Sequence, residues 1–127
     1  MNLRELAAKA YADTREPWGG MTIDSFAQEP VYPDKGFAVM SKPNTLAIPI
    51  ETSESMFALI LILFFAEHSS ESGFVGIFHD ANRNEILFDN VAIVKREACA
   101  NAIARQSGAE SAYDFTTGNG VFFNERC

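Results

Sequence analysis

Apolar residues recur at helical spacing at the start of the chain. Five of them fall on one face of a helix: Leu3, Leu6, Ala7, Ala10 and Tyr11. Asn2 is a suitable N-cap, and Glu5 follows three positions later, as in a capping box. The pattern predicts a helix over residues 3–14 with one apolar face.

Residues 16–35 show no regular pattern. Three prolines and two adjacent glycines are mixed there with the large side chains of Trp18, Met21, Phe26 and Tyr32. A flexible linker lacks such apolar anchors, and aromatic residues and Met are enriched at protein interfaces. We expect a long ordered loop, with room for a short helix over 22–27. It either covers the core or binds a partner.

Short apolar segments separated by turn residues follow from Gly36 onward. Their composition and spacing predict strands. The predicted strands are 37–40, 46–50, 74–78, 85–94, 112–115 and 121–123.

Residues 56–66 form an unbroken run of 11 apolar residues. Their length, the Leu, Met and Ala content and a possible cap at Thr52 or Ser53 favour a helix over a strand. This helix is apolar on every side, so the sheet, the first helix or another subunit must cover it. It would span about 16 Å, whereas a bilayer core is about 30 Å thick. With no apolar leader at the N-terminus, we expect a soluble cytoplasmic protein.

A third helix is predicted over 97–107, ending at Gly108. Its apolar residues Ala98, Cys99, Ala102 and Ile103 are expected to face inward. Cys99 and Cys127 lack the spacing of metal ligands, and no disulfide between them is expected.

The predicted order of elements is α–β–β–α–β–β–α–β–β. Hairpins alternating with single helices indicate an α+β fold, with an antiparallel sheet and three helices mostly on one face. The length of 127 residues indicates one domain. Residues 1–35 supply its first helix and long loop, and 36–127 its core.

The charge is strongly acidic. Ten Lys and Arg against 17 Asp and Glu give a net charge of −7, which disfavours direct binding to nucleic acid or anionic membrane. No Lys or Arg occurs between residues 43 and 82, where Glu51, Glu54 and Glu71 lie. These carboxylates either form an acidic surface for a basic partner or only keep the helix ends soluble.

The densest polar cluster is the predicted hairpin, with His79, Asp80, Glu85 and Asp89. These residue types can perform acid–base chemistry or bind a metal. Successive residues of a strand point to opposite faces, however, so the four do not converge on sequence grounds alone. Asp89 and Asp114 could pair only if their strands are neighbours. No cofactor motif is present, and we expect neither a cofactor nor a metal.

The second half of the chain resembles a group of small uncharacterised phage and prophage proteins. The resemblance depends on residues 73–78, 84–91, 97–98 and 102–106 and on the sequence Ser111-Ala112-Tyr113-Asp114-Phe115 with Thr117-Gly118. It implies a bacterial or phage source and a mobile-element context. It transfers no catalytic residue.

The first functional hypothesis is a small acidic interaction module that binds a host protein and inhibits or redirects it, with basic proteins among the candidates. An anti-defence inhibitor is one such case. The binding candidates lie in the 16–35 loop and in the acidic segment 43–82. They are Trp18, Met21, Phe26 and Tyr32 in the loop and Glu51, Glu54 and Glu71 in the segment. A small enzyme or toxin-type effector with a polar site at the 79–89 hairpin is the second. The third is a structural homo-oligomer, such as a homodimer through residues 56–66.

Overall fold

A computed structural model describes residues 2–42, 45–68, 73–109 and 111–122. In that part of the chain it contains three helices and eight strands. The helices are α1 (Leu3–Asp13), α2 (Glu54–His68) and α3 (Glu97–Ser107). The strands are β1 (Gly20–Asp24), β2 (Glu29–Val31), β3 (Phe37–Met40), β4 (Leu46–Pro49), β5 (Phe74–Asp80), β6 (Glu85–Val94), β7 (Ser111–Asp114) and β8 (Asn119–Phe122).

The strands form one antiparallel sheet in the order β2-β1-β5-β6-β3-β7-β8. The long central strand β6 pairs with β5 along one edge. Along its other edge it pairs first with β4, through residues 85–88, and then with β3, through residues 91–94. The predicted α+β class with an antiparallel sheet is confirmed.

All three helices pack against one face of this sheet. Val75, Ile77 and Phe88 alternate along β5 and β6 and are buried beneath α1 and α2. A smaller cluster joins Val39 and Ala112 to the alanines of α3. Because strand side chains alternate between faces, the other half of them lies on a face without helices, here called the open face.

Residues 20–31 form a β-hairpin instead of the predicted loop with a short helix. Met21 and Ile23 are buried under the helices, and β1 pairs with β5. The turn is closed by the Asp24 carboxylate, which accepts hydrogen bonds from the amides of Phe26 (2.9 Å) and Ala27 (3.0 Å). The element order is therefore α-β-β-β-β-α-β-β-α-β-β, two strands longer than predicted.

Local predictions for the helix ends are confirmed. The Asn2 side chain accepts from the Glu5 amide at 2.8 Å, and the Asn2 amide donates to Glu5 Oε1 at 3.0 Å. Gly108 ends α3 with φ of 81°, the left-handed region.

The predicted inner face of α3 is wrong for Ala98, Cys99 and Ala102, which are exposed, whereas the fourth predicted residue, Ile103, is half-buried and packs against the smaller core cluster. Ala100, Ala104 and Ser107 are buried, whereas Cys99 is exposed. Alanines four positions apart form a flat surface that lets the helix approach the sheet closely. The Ser107 hydroxyl donates to the Met40 carbonyl at 2.7 Å and fixes this orientation.

No helix in the part of the chain that the structure describes is both long and apolar enough to cross a membrane.

Candidate functional site

Helix α2 is covered on only one side. Its inner side chains, Phe57, Leu61, Phe64 and Phe65, are at most 3% exposed. Its outer side chains form a continuous apolar surface, here called the α2 stripe. The stripe consists of Met56, Leu59, Ile62 and Leu63, which are 41–56% exposed.

Exposed acidic side chains lie at the N-terminal end of α2. Glu51 and Glu54 are both exposed there. Glu71 lies outside the described residues. One cation reaches this end, since Arg15 stacks on Tyr11 and donates to the carbonyl of Ile50 at 3.0 Å. Helix α2 therefore has an apolar outer side and two solvent-exposed carboxylates at or just before its N-terminal end.

The open face of the sheet carries a cleft of about 550 Å³. Two aromatic pairs form its walls. Trp18 and Phe78 lie beside β1 and β5, with ring centroids 5.8 Å apart. Tyr113 and Phe115 lie at β7, with centroids 5.2 Å apart. Strands β6 and β3 run between the pairs, so the sheet must curl to bring both into one cleft.

The floor of the cleft contains the Asp89 carboxylate. It sits where β3 and β4 diverge from β6, and the Thr45 hydroxyl donates a hydrogen bond to it. The residue opposite Asp89 on β5 is Gly76. Because Gly76 has no side chain, the carboxylate is not covered from the β5 side. Burial raises the pKa of Asp89, and the Thr45 hydrogen bond lowers it by a smaller amount. Of the described residues that line the cleft, Asp89 alone carries a formal charge.

Backbone geometry places the aromatic wall. Trp18 has φ of 64°, a conformation that is rare for a bulky side chain. The next two residues are glycines, and a Cβ would lie 2.3 Å from the Asp13 carbonyl oxygen at Gly19 and 2.2 Å from the Ile77 oxygen at Gly20. The two glycines therefore let the chain that follows Trp18 pack directly against the end of α1 and against β5.

The four residues of the 16–35 segment that were predicted to bind a partner lie in three different environments. Trp18 and Tyr32 border the cleft, and Tyr32 is 71% exposed. Met21 belongs to the core beneath the helices. Phe26 is 75% exposed on the β1–β2 turn.

The alternative polar site at the hairpin does not assemble. His79 points toward the helix side, where it is 6% exposed and its Nδ1 lies 2.9 Å from the Glu16 carbonyl oxygen. Asp80 closes the turn by accepting from the Asn82 amide at 3.0 Å. Glu85 lies opposite Asp80, four positions from Asp89, which corresponds to roughly 13 Å along a strand.

Asp89 and Asp114 also remain apart. Asp89 is on β6, Asp114 is on β7, and β3 separates the two strands. The Asp114 carboxylate instead accepts from the Thr116 amide at 2.9 Å. Across the described ranges, no three His, Cys, Asp or Glu side chains are grouped as metal ligands.

Several cleft residues have only weak sequence signals. Gly76 is the clearest, since a glycine inside a strand often marks a close approach or an open position. Phe115 joins the cleft, and Thr45 reaches the Asp89 carboxylate, through pairings between distant segments, and neither has a local signal.

No family model matches the chain, and no curated protein or solved structure matches it either. Functional assignment therefore depends on the α2 stripe and the cleft.

Proposed function

We propose that this protein is an interaction module that binds a basic protein partner through the α2 stripe. The observation that carries the proposal is the exposure of four large aliphatic side chains, 41–56% each, along one helix. Contiguous exposed apolar surface is costly in water and marks interaction sites in soluble proteins. A partner that covers the stripe removes this cost.

The charges favour a different protein over a second copy. The segment 43–82 contains no Lys or Arg. A second copy paired through α2 would bring two further carboxylates, Glu51 and Glu54, and one cation, Arg15, whose guanidinium already donates to the Ile50 carbonyl. A partner with an apolar surface edged by Lys or Arg complements both features. The net charge of −7 also favours encounters with a basic molecule.

The resemblance to phage and prophage proteins suggests which partner this is. A mobile-element protein that binds through a surface can act by occupying its target. We therefore propose a host protein that is inhibited or redirected, with components of bacterial defence among the candidates.

The test begins with capture of proteins from bacterial lysate by the tagged protein at low and high salt. A stoichiometric partner is then purified, and its Kd is measured by calorimetry. We expect Glu54→Lys to weaken the complex about tenfold and to reduce its salt dependence, as a lost charge-assisted contact predicts.

Glu97→Lys is the matched control. Glu97 is an exposed acidic residue in the first turn of α3, so its reversal disturbs the helix dipole in the same way as Glu54→Lys does in α2. It should leave the Kd unchanged. Equal weakening by both variants would refute a site at α2. A dimer in sedimentation experiments that dissociates when the α2 stripe is made polar would replace the proposal with homodimerisation.

A further inference from the structure

The cleft is independent of the α2 stripe, because the two lie on opposite faces of the sheet. Its composition is that of a ligand site, with apolar and aromatic walls around one carboxylate. We propose that the cleft binds an aliphatic organic cation, meaning a primary ammonium or guanidinium group on an apolar stem, with Asp89 as its counter-ion.

The carboxylate of Asp89 needs a partner that the described protein does not supply. Thr45 gives it one hydrogen bond, and it forms no ion pair with the residues that the structure describes. Holding a carboxylate away from water without a counter-charge is unfavourable, and the raised pKa of Asp89 reflects that cost. A ligand cation in the cleft would provide the missing charge.

The walls suit a cation better than a neutral polar ligand. Aromatic faces attract ammonium and guanidinium groups through the ring quadrupole, and here two aromatic pairs flank the cleft. The cleft also includes Val91, Met40 and Ala38, which can contact an alkyl stem. Among the lining residues that the structure describes, no Lys, Arg or His is present to repel a cation.

Access to Asp89 depends on the glycine opposite it. A Cβ built on Gly76 would lie 2.9 Å from Cγ1 of Val91, so any side chain there would press into the cleft floor beside the carboxylate. The cleft volume of about 550 Å³ lies within the range of small-molecule sites, roughly 300–1,000 Å³. An alkylammonium ion or a Lys or Arg side chain therefore fits with room to spare.

The protein contains a reporter for this site. Trp18 is the only tryptophan in the sequence and lines the cleft, so its fluorescence reports binding there. We expect n-butylammonium to produce a saturable change in the fluorescence at neutral pH. The uncharged 1-butanol, with the same alkyl chain, should bind at least about tenfold more weakly, as loss of a charge-assisted contact predicts.

Asp89→Asn should weaken n-butylammonium binding by about tenfold or more while the protein stays folded. Glu85→Gln is the matched control, because Glu85 lies on the same strand and face as Asp89 but does not line the cleft. It should bind like the wild type.

The source of the cation is decided by comparing three probes: n-butylammonium, Nα-acetyl-lysine amide and a short unstructured peptide with one lysine. Equal affinities for all three indicate a free amine, whereas tighter binding of the peptide indicates a side chain of a protein. The proposal is overturned if no probe saturates the signal, if 1-butanol binds as well as the amine, or if Asp89→Asn binds like the wild type.

Discussion

Replacing Leu59 and Leu63 of the α2 stripe with glutamine separates binding from folding. The two side chains are 49% and 56% exposed, so about half of each is available to a partner. We expect the double variant to weaken the complex with the basic partner strongly and to lower the free energy of unfolding only slightly.

The magnitude follows from the exposed fractions. Fully burying a leucine side chain contributes about 1.5–3 kcal/mol, so covering the exposed half of each leucine contributes roughly 0.75–1.5 kcal/mol. Losing both contributions costs about 1.5–3 kcal/mol, which corresponds to a Kd about 12- to 140-fold higher. Glutamine keeps two methylene groups and has a helix propensity close to that of leucine. The free energy of unfolding should therefore fall by only about 1 kcal/mol.

Two measurements on the same samples provide the assay. Calorimetric titration with the purified partner gives the Kd, and urea unfolding gives the free energy of unfolding. The control variant is Ala98→Gln with Ala102→Gln, which places two glutamines on the exposed side of α3. Its Kd should equal that of the wild type.

Three results would contradict the reasoning. A change in Kd of less than about threefold, well under the 1.4 kcal/mol of a tenfold effect, would show that the partner does not cover the stripe. Equal weakening by the α3 control would point to a general effect of surface change. Loss of the complex together with loss of cooperative unfolding would assign the effect to folding.

Three further variants test the account of the fold. Asp89→Asn should stabilise the protein at neutral pH, because the raised pKa of Asp89 means that its charged form is disfavoured in the folded state. Its advantage over the wild type should be absent below the ordinary value of 3.8 and grow as pH rises through the raised pKa; urea unfolding across that range measures it. Asn2→Ala removes the cap of α1 and should lower the free energy of unfolding by about 1 kcal/mol, also seen by urea unfolding. Phe88→Ala empties a fully buried position that contacts Phe57 and Phe64. It should cost about 3–5 kcal/mol, a large share of the roughly 5–15 kcal/mol of a typical domain, measured as a lower urea midpoint.

Local patterns predicted the elements that local physics controls. The first helix needed only its apolar spacing and the Asn2–Glu5 capping box, and both interactions involve residues within four positions of each other. The 85–94 strand has the predicted bounds. The inner face of α3 was mistaken, because two neighbouring small-residue faces have similar apolar character and only contact with the sheet selects Ala100 and Ala104.

The 20–31 hairpin shows a second kind of failure. The local pattern of prolines and glycines in this segment predicts a loop. In the structure, however, these residues occupy positions that are compatible with a β-hairpin. Pro30 is on the edge strand β2, where a missing amide proton costs little. The segment becomes a hairpin because β1 pairs with β5, more than 50 positions later in the chain, and no local pattern reports such a pairing.

The sequence by itself determined the α+β class, the antiparallel pairing, the acidic balance and the apolar character of α2, since these depend on composition and short-range periodicity. Only the tertiary structure decided which side of α2 stays exposed, and that Trp18, Asp89 and Tyr113 share one cleft while His79 faces the other way. The physical reason is that a side chain stays exposed only where no other part of the chain packs against it. That outcome depends on the curl of the sheet and the placement of the helices, which arise from contacts between residues far apart in the sequence.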